Sequence, residues 1–252
     1  MSETGAEACV ATIASDDALL GGRITIRQPA SGYRVAIDPV LLAAAAPVRP
    51  GERVLDLGAG VGAAALCLAA RVPGCTVLGV ELDPDLVALA THNAAANRLD
   101  ARVAFTARDL RDLIAEPGES FDQVLANPPF LPGDRAQPDQ RLSAATVEVA
   151  GGIESWIAAA LHMLRHKGSL TLIHRADRLD QILALVHGHA GGIVVFPLWP
   201  HAGEDAKRVL VRARKGSAQP LRLAAGLVLH DRDGGFGADA EAVLRHAAAI
   251  EL

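Results

Sequence analysis

Aromatic residues are scarce, 8 in 252. Binders of extended single strands lay a ring under each successive base, so this chain does not hold a nucleic acid that way. Cysteine is scarce too. Cys9, Cys67 and Cys75 form neither a CxxC pair nor an even set, which leaves no disulfide framework and no thiolate metal site. Cys67 falls in an apolar helical run and Cys75 just before a strand, both as small buried side chains. His162 with His166, and His187 with His189, have metal-like spacing, but no cysteine or acid completes either pair and no metal is expected. Charges interrupt every apolar stretch before it reaches eighteen residues, so no membrane span is expected. The first seventeen residues carry Glu3, Glu7, Asp16 and Asp17 and no Lys or Arg. That is the wrong charge for a signal or transit peptide, and the expected address is the cytoplasm.

What is present is a globular composition, 50% hydrophobic and 21% charged. The net charge of −5 is unevenly spread: residues 160–222 hold 10 Lys and Arg against 4 Asp and Glu, while residues 1–159 hold 12 against 20. A basic stretch in an acidic chain suits an anionic partner on one face; a solvated surface explains it equally well.

Short strand-like runs occur at 53–57, 76–80, 102–106, 123–126, 169–174, 193–197 and 208–213. Helical stretches fall between them at 62–71, 84–97, 153–166 and 180–187, with a poorly defined link at 110–115. Strand–helix alternation means a parallel sheet with helices on both faces, and the near-continuous apolar strands fit burial on both sides. No helix separates the last two strands, so they should pair antiparallel. The expected fold is α/β: a mostly parallel seven-stranded sheet with a C-terminal antiparallel hairpin. A capped helix at 38–46, with Asp38 as its N-cap, lies before the sheet. Residues 1–252 are expected to form a single domain, with an N-terminal extension and capping helix over 1–50, a core over 51–215 and a tail over 216–252. The irregular stretch 131–150 is read as a mobile substrate loop.

The first strand of the core ends in Val54-Leu55-Asp56-Leu57-Gly58-Ala59-Gly60-Val61-Gly62, with Ala63 opening a helix. This nominally satisfies the G-x-G-x-x-A dinucleotide fingerprint, and Glu81 at the end of the second strand suits a ribose diol. Asp56 separates the possible ligands. A carboxylate at this turn repels a pyrophosphate, whereas S-adenosylmethionine brings an ammonium and a sulfonium and no phosphate. The turn is therefore read as a site for the methyl donor. Asp109, after the third strand, has two readings, an acceptor for the adenine amine or a helix N-cap. Asp38 likewise stands near the methionine end or serves only its helix.

Asn127-Pro128-Pro129-Phe130 follows the fourth strand, whose C-terminal end faces the same crevice. An exocyclic amine is a poor nucleophile because its lone pair is delocalised into the ring. Two acceptors, the Asn127 side-chain oxygen and the Pro128 carbonyl, would hold both N–H groups and turn the lone pair towards the methyl group. Phe130 offers a face for a flipped base.

These segments resemble the amino-methyltransferases that modify adenine N6, guanine N2 or a glutamine amide. Gly32-Tyr33-Arg34, Asp38-Pro39-Val40-Leu41-Leu42-Ala43, Arg208 to Lys215 and Leu227-Val228-Leu229-His230 extend the likeness to the bacterial tRNA1(Val) adenine-N6 methyltransferase family. The resemblance implies a Rossmann-like class I methyltransferase with S-adenosylmethionine as cofactor and RNA, most specifically tRNA, as partner. It places the cofactor against Asp38, Asp56, Gly58, Gly60, Glu81, Leu82, Asp109 and Asn127, and the target amine against Asn127, Pro128, Pro129 and Phe130. Arg208, Arg212, Arg214 and Lys215 either contact RNA phosphates or protect an edge strand by charge. A guanine of rRNA or a protein glutamine amide is the alternative substrate. A module that has lost catalysis is disfavoured by the intact Asn-Pro-Pro-Phe.

Overall fold

The computed structural model describes residues 14–30, 34–115, 117–118, 121–129 and 152–252. Phe130, Cys9, Tyr33 and the 131–150 stretch lie outside them. In chain order the described elements are β1 (Ala14–Leu19), β2 (Ile24–Pro29), α1 (Asp38–Ala45), β3 (Arg53–Leu57), α2 (Ala63–Arg71), β4 (Thr76–Glu81) and α3 (Pro84–Ala96). They continue through β5 (Val103–Ala107), α4 (Leu110–Ala115), β6 (Phe121–Ala126), α5 (Gly152–Met163), β7 (Leu164–Arg175) and α6 (Leu179–Val186). Last come β8 (Ala190–Trp199), β9 (Arg208–Lys215), β10 (Arg222–Leu223), β11 (Leu227–Val228) and α7 (Ala238–His246).

The main sheet runs β10-β8-β9-β7-β6-β3-β4-β5, with β11 also on β8. Strands β3 to β7 pair in parallel, and β9 is antiparallel to both β7 and β8. The seven expected strands are all there, with the antiparallel hairpin in place. Two short strands from the tail, β10 and β11, widen the sheet beyond β8. Strand β9 is not an edge strand, contrary to one reading of its charge: it lies between β7 and β8 and is hydrogen-bonded on both sides.

Both faces of the sheet are covered because successive side chains point to opposite sides. Val54, Val77, Leu125, Ile173 and Leu210 join α1 and α2 in one buried cluster. Leu55, Leu57, Val80, Val124 and Leu172 join α5 and α6 in the other. Among the described residues no helix is long and apolar enough to cross a membrane.

The β1–β2 hairpin forms its own two-stranded sheet, which the sequence pattern did not disclose. Two asparagines one turn apart, Asn93 on α3 and Asn97 at its C-cap, hold it. Asn97 accepts from Thr25 N at 2.9 Å and donates to Thr25 O. Asn93, 1% exposed, accepts from Arg27 N at 2.7 Å and donates to Arg27 O at 2.9 Å and Val61 O at 3.0 Å. A side-chain amide thus stands in for a strand partner, and the same residue reaches the glycine-rich turn. Asn93→Ala strands three buried backbone groups and is expected to cost roughly 3 kcal/mol. Urea unfolding checks this, and a loss below about 1 kcal/mol would show that the hairpin is held by other contacts.

Candidate methyl-transfer site

Strand order reverses between β3 and β6: from β3 the chain moves outward to β4 and β5, and from β6 the opposite way to β7. The connections therefore diverge and leave a crevice at the C-terminal ends of these two strands, where open α/β sheets bind ligands. Leu57 pairs with Ala126, so the next residues, Gly58 and Asn127, emerge side by side.

Gly58 has φ 64, and a Cβ there would lie 2.1 Å from Cη2 of Trp156. The turn therefore needs glycine for its left-handed backbone and because α5 presses its indole against it. Trp156 is a supporting residue that sequence reasoning missed; its aromatic ring in an apolar helix was the only available signal. Gly60 has φ 55, but a Cβ there would meet nothing within 4 Å. It faces open space, so the backbone at this point can be approached closely by a ligand.

The acids lie around the turn. Glu81 closes β4; its Oε2 accepts from Gly60 N at 2.9 Å, and its Oε1 accepts from Leu82 N and Asp83 N at 2.8 and 3.1 Å. Oε2, with a single bond, retains a lone pair for a further donor. Leu82 follows it, 43% exposed, an apolar face at the mouth of the crevice. Asp56 is 2% exposed and accepts from Ala65 N in α2 at 3.2 Å. Burial pushes its carboxyl up to about 7, with the charge of Glu81 acting in the same direction.

The expectation that Asp38 caps its helix changes, whereas Asp109 makes the contact of its capping reading. Asp38 does not cap α1. Ile37 is the N-cap and its carbonyl accepts the first helical bonds from Val40 N and Leu41 N, while Asp38 is the first helical residue. The Asp38 carboxylate turns to Arg208 instead, accepting from Nε at 2.8 Å. Asp109 accepts from Arg111 N at 2.8 Å, which caps α4, and also pairs with the Arg111 guanidinium. That hydrogen bonding and the Arg111 charge hold its carboxyl below the usual range.

On the β6 side, Asn127 is half-buried, Pro128 buried and Pro129 exposed. Among the described residues nothing hydrogen-bonds the Asn127 amide, although it stands at the end of a core strand. On the neighbouring strand, Ala126 pairs with Leu172, which brings His174 level with Pro128. Burial lowers the His174 imidazole to about 4, so its ring is neutral on the strand next to the one that leads into the Pro-Pro segment.

The basic residues of β9 separate. Arg208 pairs across from Arg175 at the crevice end, whereas Arg214 pairs with Ser169 near the start of β7. Six residues of strand put roughly 20 Å between them.

Residues 33–189 match the family model for the methyltransferase small domain. The chain belongs to that family. A tRNA1(Val) (adenine(37)-N6)-methyltransferase from Porphyromonas gingivalis is 35% identical over 167 residues, covering 64% of this chain and 66% of that protein, just under two thirds of its length. The enzyme of the same name from Aeromonas hydrophila is 31% identical over 81% of this chain and 85% of its own length. Among solved structures, a predicted O-methyltransferase from Agrobacterium tumefaciens is similar with TM-score 0.72 and 27% identity, covering 85% of this chain and 99% of that one.

A methyltransferase of this family takes its methyl group from S-adenosylmethionine, and the crevice fits that donor. Gly60 leaves an open cradle, Asp56 and Glu81 supply negative potential for a cation, and Leu82 presents an apolar surface. Asp56 would repel a dinucleotide pyrophosphate at this turn.

The raised Asp56 carboxyl gives a signed prediction. Below about pH 7 the cofactor-free protein holds a proton there that the donor's positive charge disfavours. Affinity for S-adenosylmethionine should therefore strengthen from about pH 6 to about pH 7.5, by at most about tenfold per unit, and Asp56→Asn should flatten the dependence. The stability of the cofactor-free protein carries the opposite trend. The folded value lies above the unfolded one, so the Asp56 contribution is complete below about pH 4 and is lost as pH rises through about 7. Calorimetric titration against pH checks the affinity, and a pH-independent wild-type affinity would contradict the role given to Asp56.

Proposed function

We propose that this protein transfers a methyl group from S-adenosylmethionine to N6 of an adenine in tRNA, namely adenine 37 of tRNA(Val), on the 3′ side of the anticodon. The observation that carries this reading is the Asn127 amide at the switch point, without a hydrogen-bonding partner among the described residues, beside Gly58 and followed by two prolines. The printed activity of the P. gingivalis and A. hydrophila relatives supports the choice of base and RNA. A tRNA substrate also implies the cytoplasm.

Bound in the crevice, S-adenosylmethionine supplies an electrophilic methyl group on a sulfonium. The chain's own residues bind, orient and desolvate. Asp56 and Glu81 supply charge and acceptors for the donor, with Gly58 and Gly60 letting the backbone approach it. The Asn127 Oδ1 and the Pro128 carbonyl accept the two N–H groups of the adenine amine. Proline has no N–H to compete, and two in succession fix the carbonyl directions. The nitrogen attacks while still carrying both protons and releases one after acquiring positive charge, so no strong base is required. The neutral His174 on the neighbouring strand fits that economy of charge. An anticodon-loop base is already single-stranded, which lowers the cost of turning it into the crevice.

For the RNA backbone, cations at the crevice end are the relevant ones. Arg208, with its neighbour Lys207 and with Arg175 and Arg178 at the end of β7, forms a basic rim beside the Asn-Pro-Pro segment. Arg212, Arg214 and Lys215 lead away from it towards the other edge of the sheet.

Asn127→Ala removes an acceptor that matters most when the nitrogen pyramidalises, so the loss should fall on kcat more than on KM or cofactor affinity. The expected decrease is about a hundredfold, the usual worth of one preorganised polar contact. Single-turnover methylation of tRNA at saturating donor measures it. Near-normal turnover would mean that the segment is a rigid turn and that the amine is held elsewhere.

A further inference from the structure

The sheet face covered by α1 and α2 is apolar near the crevice, where Ile173 pairs across from Leu210. Towards the opposite edge it becomes polar. The pairing of β6, β7 and β9 sets Gln123, Ser169 and Arg214 in one row and places Thr171 beside Arg212 in the next. The segment joining α1 to β3 passes over these rows with Pro47, Arg49 and Glu52, and encloses a cavity of about 340 Å³. Side chains there point where a core would continue, yet they are charged or hydrogen-bonding.

Both carboxylates of this cavity are already occupied. Glu52 accepts from Arg49 N and from Gln123 Nε2, each at 3.0 Å. Asp122 accepts from Arg53 N at 2.7 Å and pairs with Arg165. Of the other cations, Arg212 meets the terminal carboxylate of Leu252, while neither Lys167 nor Arg214 has a carboxylate partner among the described residues. Lys167, held at φ 66, donates to Gly216 O, Arg212 to Leu252 O and Arg214 to Lys167 O. The Arg49 guanidinium has no hydrogen-bonding partner among them. Five cations, Arg49, Arg165, Lys167, Arg212 and Arg214, line the cavity against the two carboxylates of Glu52 and Asp122. In addition, Gln123, which lines the cavity, leaves its Oε1 without a partner in a residue 7% exposed. Native proteins leave few such atoms unsatisfied, and each calls for an explanation.

We propose that this cavity is a phosphate-binding site, separate from the methyl-transfer crevice and at the other end of the same strands. Arg49, Arg212 and Arg214 supply guanidinium forks to the phosphate oxygens, a geometry suited to bidentate binding. Gln123 Oε1 takes a hydroxyl hydrogen, from a hydrogen phosphate or from a ribose next to the phosphate. The phosphate comes either from a free compound or from an RNA backbone running past this edge of the sheet.

The test is calorimetric titration of the full-length protein with inorganic phosphate and with pyrophosphate, at constant ionic strength set by chloride. Wild type should bind, with S-adenosylmethionine affinity unchanged by phosphate because the sites are apart. Arg49→Ala and Arg214→Ala are the informative variants, since both residues line the cavity and are exposed; Arg49→Ala should weaken binding about tenfold, the worth of a charge-assisted hydrogen bond. The same variants then titrate tRNA against salt. A fall in tRNA affinity, with the log–log salt slope lowered by about one for Arg49→Ala, assigns the phosphate to RNA. Unchanged tRNA binding with lost phosphate binding assigns it to a free compound. If neither anion binds wild type and tRNA affinity is the same in both variants, or if anions bind all three proteins equally, the proposal is overturned.

Discussion

The structure depends on one topological constraint, the parallel pairing of β3 with β6 at the point where the strand order reverses. Connections leaving two such strands must go to opposite sides, so the backbone opens between them, and whatever follows the strands faces the same opening. Here β3 is followed by a glycine turn and β6 by Asn-Pro-Pro. Donor and acceptor chemistry are thus juxtaposed by sheet pairing, without a dedicated binding domain. The turn is in addition locked from behind by Trp156 and from the side by Glu81 and Asn93. Three separate elements, α5, β4 and α3, fix its position.

The electrostatics follow from that arrangement. A carboxyl buried at Asp56 is costly when ionised and is held near neutrality, with its one described hydrogen bond offsetting part of the burial. A cationic cofactor relieves this; an anionic one aggravates it. The preference for S-adenosylmethionine over a dinucleotide is thereby built into the core of the sheet. On the proposed acceptor side the groups after β6 are neutral, an amide and a proline carbonyl, which suits a nucleophile whose reactivity comes from geometry more than from proton removal.

Much of this was legible in the sequence because it is local. The apolar runs of β3 to β7, the glycines after Leu57, Glu81 at the end of β4 and Asn127 after β6 each announce themselves within a few residues. What stayed hidden depends on distant partners. Asp38 before a proline reads as a cap, but its carboxylate meets Arg208, 170 residues later. The β1–β2 hairpin shows alternation at Ile24 and Ile26, yet what holds it is a pair of asparagines, one in α3 and one at its C-cap. Strand β9 reads as an edge because of its arginines, whereas Val209, Val211 and Ala213 are buried on its other face and both its neighbours are in place. Its charges belong to a polar row that only the pairing of three strands creates.

The central claim is that the crevice between β3 and β6 presents an adenine amine to the methyl donor. The most direct measurement is incubation of unmodified tRNA with methyl-labelled S-adenosylmethionine and the protein, followed by digestion to nucleosides and chromatographic assignment of the label. The account predicts label in N6-methyladenosine, from the nucleotide on the 3′ side of the anticodon. Label confined to a ribose oxygen or to guanine N2 would contradict it.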